Sequence, residues 1–254
     1  MLPQLAGLPV PEDEEIVSVR PAFLLAKVPQ WIEPRFDSVH AGLLLDSGGG
    51  GEYDIRHMAT VKAGSKSEQT RERILRAAAR AIRKHGYEGV GVADVMKEAG
   101  LTHGGFYAHF ASRDELLAAA ADQAGAESTE ALSRVVARAK PGEELMALVD
   151  WYLDDRHVES HVQGLGCSIA AAGTEVPRQQ AEVRRAAGRR IKDFIGLVER
   201  QFPDWGKQAA HEKAMAVVAT LVGAVTLARA VGDPQISRAV RKSAREAIRA
   251  ATAA

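Results

Sequence analysis

Seven residues within one short stretch, by the groups they carry or lack, could form a surface that meets a nucleic acid: Thr102, His103, Gly104, Gly105, Tyr107, His109 and Ser112. The Tyr107 hydroxyl can donate to a phosphate. His103 and His109 can donate to phosphates or to acceptors on base edges. Gly104 and Gly105 are out of place in a helix, where each costs roughly 1 kcal/mol relative to Ala. Their missing side chains let the helix pack tightly or let its backbone come close to DNA. No Arg, Lys, Asn or Gln lies between Thr102 and Phe110, so the usual bidentate base contacts are absent and no target base sequence follows. Elsewhere, Cys167 stands beside Gly166 ahead of a helix, and a helix N-terminus favours the thiolate. The same residue also reads as a small buried hydrophobe. His157 and His161, spaced i, i+4, could share a metal. Asp154, Asp155 and Glu159 around them read equally as solvated loop charges. No Ser/His/Asp arrangement, metal-ligand spacing or phosphate-binding glycine loop of recognised form is present. No catalytic residue, cofactor or metal is expected.

The elements that must position the first group are legible. Val92, Val95, Met96 and Ala99 fall at helical spacing. Gly100 suits a left-handed helix end, Leu101 plugs the gap between helices, and Thr102 can cap a second helix over 103–110. That helix turns Phe106 and Phe110 inward, one turn apart. This is helix-turn-helix spacing, with the second helix destined for a major groove. Before it, a helix from about Ser67 to His85 has an apolar face of Ile74, Leu75, Ala78, Ala81 and Ile82. Its Arg71, Arg73, Arg76, Arg80, Arg83 and Lys84 lie on other faces, as solvated charges or phosphate contacts. After it, Ser112-x-x-Glu115 is a capping box that starts a long helix near Arg113.

Gly86-Tyr87, Gly100-Leu101-Thr102, Gly105-Phe106-Tyr107 with His109-Phe110, and Ser112 through Leu117 together resemble the tetracycline-repressor (TetR) family of transcriptional regulators. The resemblance is clear over about residues 67–121 and weaker beyond. It implies an all-α fold: an N-terminal three-helix domain with the helix-turn-helix, then a helical ligand-binding and dimerisation domain over 122–254. It favours close DNA approach as the role of the two glycines, and it implies a phosphate at the helix start by Ser112. It also implies a homodimer on a palindromic operator, a small-molecule effector, and a branch of the family in which a cysteine near position 167 senses electrophiles or oxidants.

Composition agrees. The net charge is zero, but residues 1–57 hold four Lys/Arg against nine Asp/Glu, leaving 29 against 24 in the rest. Residues 64–110 hold eight basic and five acidic residues, a mildly basic head. Residues 1–57 also carry six of the ten prolines, and read as a disordered extension. They are either translated upstream DNA before a natural start at Met58 or an acidic arm. Residues 58–66 read as a basic arm. One cysteine excludes an intrachain disulfide and fits a reducing compartment. The N-terminal stretch lacks a signal-peptide pattern, and the uncharged run 214–228 is too short to span a bilayer comfortably, so a cytoplasmic protein without membrane contact is expected.

Beyond residue 127 the pattern predicts helices over 127–139, 142–156, 166–176, 178–202, 207–231 and 234–250. The pocket expectation falls on Trp151, Tyr152, Cys167 and Phe194, with Leu153, Leu165, Ile169, His161 and Gln163 as further candidates. The helix 212–231 is apolar or small nearly all round, which predicts burial on every face and a dimer interface over about 207–250. Three readings follow. The first is a dimeric repressor released by a small molecule, the second a cysteine sensor on the same scaffold, and the third a small helical enzyme for which no site is visible.

Overall fold

The computed structural model describes residues 65–252; the expected extension and most of the expected basic arm lie outside the described residues. The described residues form helices α1 (Lys66–His85), α2 (Val92–Glu98), α3 (Arg113–Val136), α4 (Glu144–Tyr152), α5 (Asp155–Glu159), α6 (Ser168–Ala172), α7 (Ala181–Glu199), α8 (Gln208–Ala230) and α9 (Pro234–Thr252). Three short 3₁₀ helices, His103–Ala108, Ser160–Gln163 and Val176–Arg178, join them, and no strand occurs among the described residues. The fold is all-α, with the helix-turn-helix ahead of a helical body.

Local chemistry sets the ends of α1. Ser65 accepts from the Glu68 N–H (3.2 Å) while the Glu68 carboxylate takes the Ser65 N–H (2.6 Å), a complete capping box. Arg83, Lys84 and His85 occupy the last turn, and Gly86 ends it at φ 72°. Ile74, Ala77, Ala78 and Ile82 are fully buried. Burying each isoleucine contributes roughly 1.5–3 kcal/mol. Arg83 departs from expectation: it lies among these residues at 4% exposure instead of on a solvated face.

The long helix expected from Arg113 and the helix expected over 127–139 are one continuous element, α3. No proline interrupts this stretch, and Gly125 is there for packing. A side-chain carbon at Gly125 would fall 2.4 Å from Cγ of Arg190, so α7 crosses close to α3 at this point. Arg190 then grips Asp122 with two bonds, Nη2–Oδ2 at 2.8 Å and Nε–Oδ1 at 3.1 Å, which holds the Asp122 carboxyl below the usual carboxylate range.

Other predicted helices are shorter. The 142–156 helix stops at Tyr152, because Asp154 caps a separate α5 by accepting from the Arg156 N–H. The 166–176 helix shrinks to α6, and the next begins at Ala181. α8 and α9 match closely. α8 is also longer than its uncharged run, and by length and composition alone could cross a membrane. Its Val217, Leu221 and Val225 side is instead packed in the core, while Leu227 on another face is 59% exposed in the single chain. The expectation of burial on every face therefore fails within one copy.

Two hydrophobic clusters result. The head cluster gathers Ile74, Met96, Phe106, Phe110 and Leu116 with Val183 and Ala186 from α7. The body cluster gathers Leu148, Tyr152, Phe194, Leu221 and Val225. α6 contributes to both: Ala170 to the body cluster and Ala172 to the head.

Candidate nucleic-acid interface and the cavity behind it

Phe106 and Phe110 are buried at 2% and 1% exposure, their rings stacked with centroids 5.9 Å apart. The Arg71 guanidinium lies 4.7 Å from the Phe110 ring centroid, a cation–π contact that ties α1 to this element. Tyr107 packs edge-on against Phe106 at 5.2 Å yet stays 71% exposed. Thr102, His103, Gly104 and Ser112 are exposed, and Gly105 and His109 are half-buried. The structure thus brings all seven predicted residues to one end of the head, around a buried phenylalanine pair.

Three local expectations are corrected. The second helix is a 3₁₀ helix over His103–Ala108, and the Thr102 side chain makes no capping bond. The Gly104-Gly105 pair is a weak α-helix former, and the Gly105 N–H instead bonds the Thr102 carbonyl three residues back at 3.1 Å. At the start of α3, Ser112 accepts from the Glu115 N–H (3.1 Å), but Glu115 turns back to the Ala111 N–H (2.7 Å), so the expected box is displaced by one residue.

The glycines can be judged by what a side chain would meet. A Cβ on Gly104 finds nothing within 4 Å, and one on Gly105 comes no nearer than 3.7 Å to Met96. Tight internal packing therefore requires neither glycine.

The loop between α1 and α2 is held from two sides. Arg113, at the start of α3, donates to the Tyr87 carbonyl (2.7 Å) and the Val90 carbonyl (3.1 Å). Glu175, from the body, accepts the Tyr87 and Glu88 N–H groups on one carboxylate oxygen (2.8 and 3.2 Å). Burial, reinforced by the Glu175 charge, pushes the Tyr87 phenol up to about 12.

Behind the head lies a cavity of about 360 Å³ whose walls include Arg83, Leu132, Trp151, Tyr152, His157 and Cys167. Of the four pocket residues expected, Trp151, Tyr152 and Cys167 meet here. Phe194 does not. It is buried behind Tyr152, with ring centroids 5.4 Å apart. Among the further candidates Leu165 lines the cavity, whereas His161 faces a separate groove near α9. Cys167 is 4% exposed, in keeping with a buried small hydrophobe. The Tyr152 hydroxyl abuts this thiol without a hydrogen bond of good geometry and has no other partner; burial first, then the neighbouring sulfur, pushes its phenol well up.

His157 and Arg83 were missed as cavity residues. Nδ1 of His157 lies 2.6 Å from the Tyr152 carbonyl, so this nitrogen carries the proton and Nε2 is an acceptor. Burial lowers the imidazole to about 4, against the opposing pull of that carbonyl, and the Arg229 charge lowers it further. His161 bonds a different carbonyl, that of Val158, and among the described residues no three ligating side chains converge as a metal site. Arg83 reaches from α1 to the Ala124 carbonyl (2.8 Å), Glu127 (2.8 Å) and the Gly164 carbonyl (3.4 Å). Its one sequence signal was its place a turn beyond Ala79, which is fully buried.

Comparisons with known proteins cover both halves. A family described as "Bacterial regulatory proteins, tetR family" matches residues 74–120, and one described as "Transcriptional regulator LmrA/YxaF-like, C-terminal domain" matches residues 141–243. An uncharacterized HTH-type transcriptional regulator of Mycobacterium tuberculosis (strain H37Rv) is 33% identical over 172 residues, spanning 64% of this chain and 86% of that one. The HTH-type transcriptional regulator LmrA of Bacillus subtilis is 27% identical over 165 residues, 62% of this chain and 85% of LmrA. A crystal structure of a TetR transcriptional regulator from Chloroflexus aurantiacus matches with a TM-score of 0.60 at 26% identity, over 72% of this chain and 96% of that one.

Proposed function

The chain belongs to the TetR family of transcriptional regulators, and on that premise we propose that it is a homodimeric, cytoplasmic repressor released from a palindromic operator when a small molecule fills the cavity. The observation that carries this reading is the exposed set at 102–112, mounted on the buried Phe106–Phe110 pair. Tyr107, His103 and His109 supply donors for phosphates and base edges, Gly104 lets the backbone approach, and the α3 start at Ser112 receives a phosphate. Residues 67–121 serve as the DNA-binding domain and 122–254 as the regulatory one.

Dimerisation falls to α8 and α9. Their outer face leaves Leu227 at 59%, Val231 at 38% and Ile236 at 49% exposed in one chain, and a second copy covers it. The two-fold axis then sets two reading elements ~34 Å apart, one turn of DNA. A ligand that binds the DNA-incompetent conformation more tightly shifts the population away from the operator. Repression, dimerisation and ligand release are one testable package. Genomic fragments bound by the protein are selected, and affinity for them is measured across a salt series beside a Tyr107→Ala, His109→Ala variant. A discrete palindromic site, bound steeply salt-dependently and lost in the variant, supports the reading. Equal weak binding to all DNA would sink it.

A further inference from the structure

We propose that Glu175 is the positioning residue through which the cavity wall governs the DNA-reading element. This rests on the protein being a ligand-responsive DNA-binding regulator. The wall residues Leu165, Gly166 and Cys167 lie within one continuous segment, Gly164–Glu175. Both ends of that segment hold the same part of the head. At the first end, the Gly164 carbonyl accepts from Arg83 in the last turn of α1. At the second, Glu175 accepts from the amides of Tyr87 and Glu88, just past that turn. Between them sits α6, with Ala170 in the body core and Ala172 in the head core. A displacement of the cavity wall is therefore passed by a short packed helix to the head.

The two ends are not equivalent. Arg83 has two further partners on α3, the Ala124 carbonyl and Glu127, which keep it in place if Gly164 moves. Glu175 binds backbone, and that backbone leads straight into α2 at Val92. The carbonyls of the same loop are fixed to α3 by Arg113, so the loop is suspended between α3 and Glu175. α2 in turn carries the reading element: the Met96 carbonyl accepts from the Leu101 N–H at 2.9 Å. The fit around the carboxylate is close, since a Cβ on Gly86 would fall 2.0 Å from its Oε1. Withdrawing Glu175 frees one side of the loop, and α2 with the reading element pivots on the Arg113 side.

Coupling is reciprocal, so DNA must act on the cavity wall as a ligand acts on DNA. The test therefore needs no known effector. Amide hydrogen exchange is followed in the full chain, with and without the selected operator fragment, for wild type, Glu175→Gln and Glu175→Ala. One carboxylate oxygen takes both amides, so a glutamine oxygen can replace it. In wild type and Glu175→Gln, DNA slows exchange at 103–112 and also at 166–172. In Glu175→Ala, protection at 103–112 persists, protection at 166–172 disappears, and operator affinity falls about tenfold, within the range of residues that carry coupling. Glu175→Gln stays within about threefold. A merely structural role would lower thermal stability yet leave the DNA-induced change at 166–172 intact in Glu175→Ala, and that result overturns the proposal. Should Glu175→Ala not fold, wild type decides: no DNA-induced change at 166–172 overturns it as well. Absence of protection at 103–112 in wild type would mean that the DNA-binding function fails, and this inference with it.

Discussion

Tyr107 and Phe106 are neighbours in sequence, one 71% exposed and the other 2%. In the body, Trp151 and Tyr152 are also neighbours, at 36% and 1%, yet both line the same cavity. The head divides its work by residue. Phe106 and Phe110 hold the element in place, whereas Tyr107 touches the core only through its edge-on contact with Phe106, and His103 and Gly104 are exposed. The body makes no such division. Tyr152, His157 and Cys167 are cavity wall and core at once. Stability and function should therefore separate under substitution in the head and move together in the body.

The largest effect tests that separation directly. Phe106→Ala removes a ring buried against Phe110 and Met96 and should cost about 3–5 kcal/mol of unfolding free energy, taking DNA binding with it. Tyr107→Ala should cost only about 0.5–1.5 kcal/mol, the worth of its edge-on contact with Phe106. Urea unfolding of the two side by side checks this, and comparable losses would break the distinction.

The body's counterpart is a pH effect. His157 is held near 4 in the fold by burial, against about 6.5 in the unfolded chain. The unfolded state then binds the extra proton first as pH falls. Stability from the neutral imidazole is fully present above pH ~6.5 and is lost between there and pH ~4, up to about 3 kcal/mol. His157→Leu should flatten this slope, measured as urea midpoints at several pH values against wild type. An unchanged slope would mean that the imidazole is not held neutral, and the contrast with the exposed head would weaken.

Next in size comes DNA affinity. Tyr107→Ala with His109→Ala should weaken operator binding ten- to hundredfold, as expected for about 1–3 kcal/mol of lost contacts, with the unfolding midpoint little changed from that of Tyr107→Ala alone. If the midpoint drops several degrees below that, half-buried His109 carries core load and the division of labour is less sharp than the exposures imply.

The same contrast explains what could be read in the sequence. The head is made of local signals: Gly100 and Gly86 at helix ends, a capping serine, and phenylalanines one turn apart. Each acts within a few residues, so the seven candidate residues and the phenylalanine pair that mounts them are legible from the sequence. The 3₁₀ form of 103–108 was not, because its only cue was the pair of glycines. The cavity is lined by residues brought together from across the chain. Arg83 meets Gly164, and His157 comes under Tyr152 only because the helix breaks at Leu153. Pattern within one segment identifies Trp151 as aromatic but not which aromatics face inward together. Phe194 lies outside the cavity for that reason, and nothing in the local pattern around Glu175, two residues before Pro177, points to its amide partners across the fold.

The smallest effect is the most discriminating. Gly104 has open space where a side chain would be and no positive φ to protect, so Gly104→Ala should stabilise the fold by up to about 1 kcal/mol through reduced chain entropy and better helix propensity. If the backbone there meets DNA, the same methyl group should weaken operator binding several-fold, giving opposite signs for stability and affinity in a single residue. Gly86→Ala is the contrast within the same domain: φ is 72° and the added carbon collides with Glu175, so stability and affinity should fall together. Thermal unfolding and operator titration of both variants decide the matter. A Gly104→Ala protein that is more stable and binds as tightly as wild type would show that the exposed face at 104 is kept clear of DNA, and would move the point of closest approach elsewhere on the reading element.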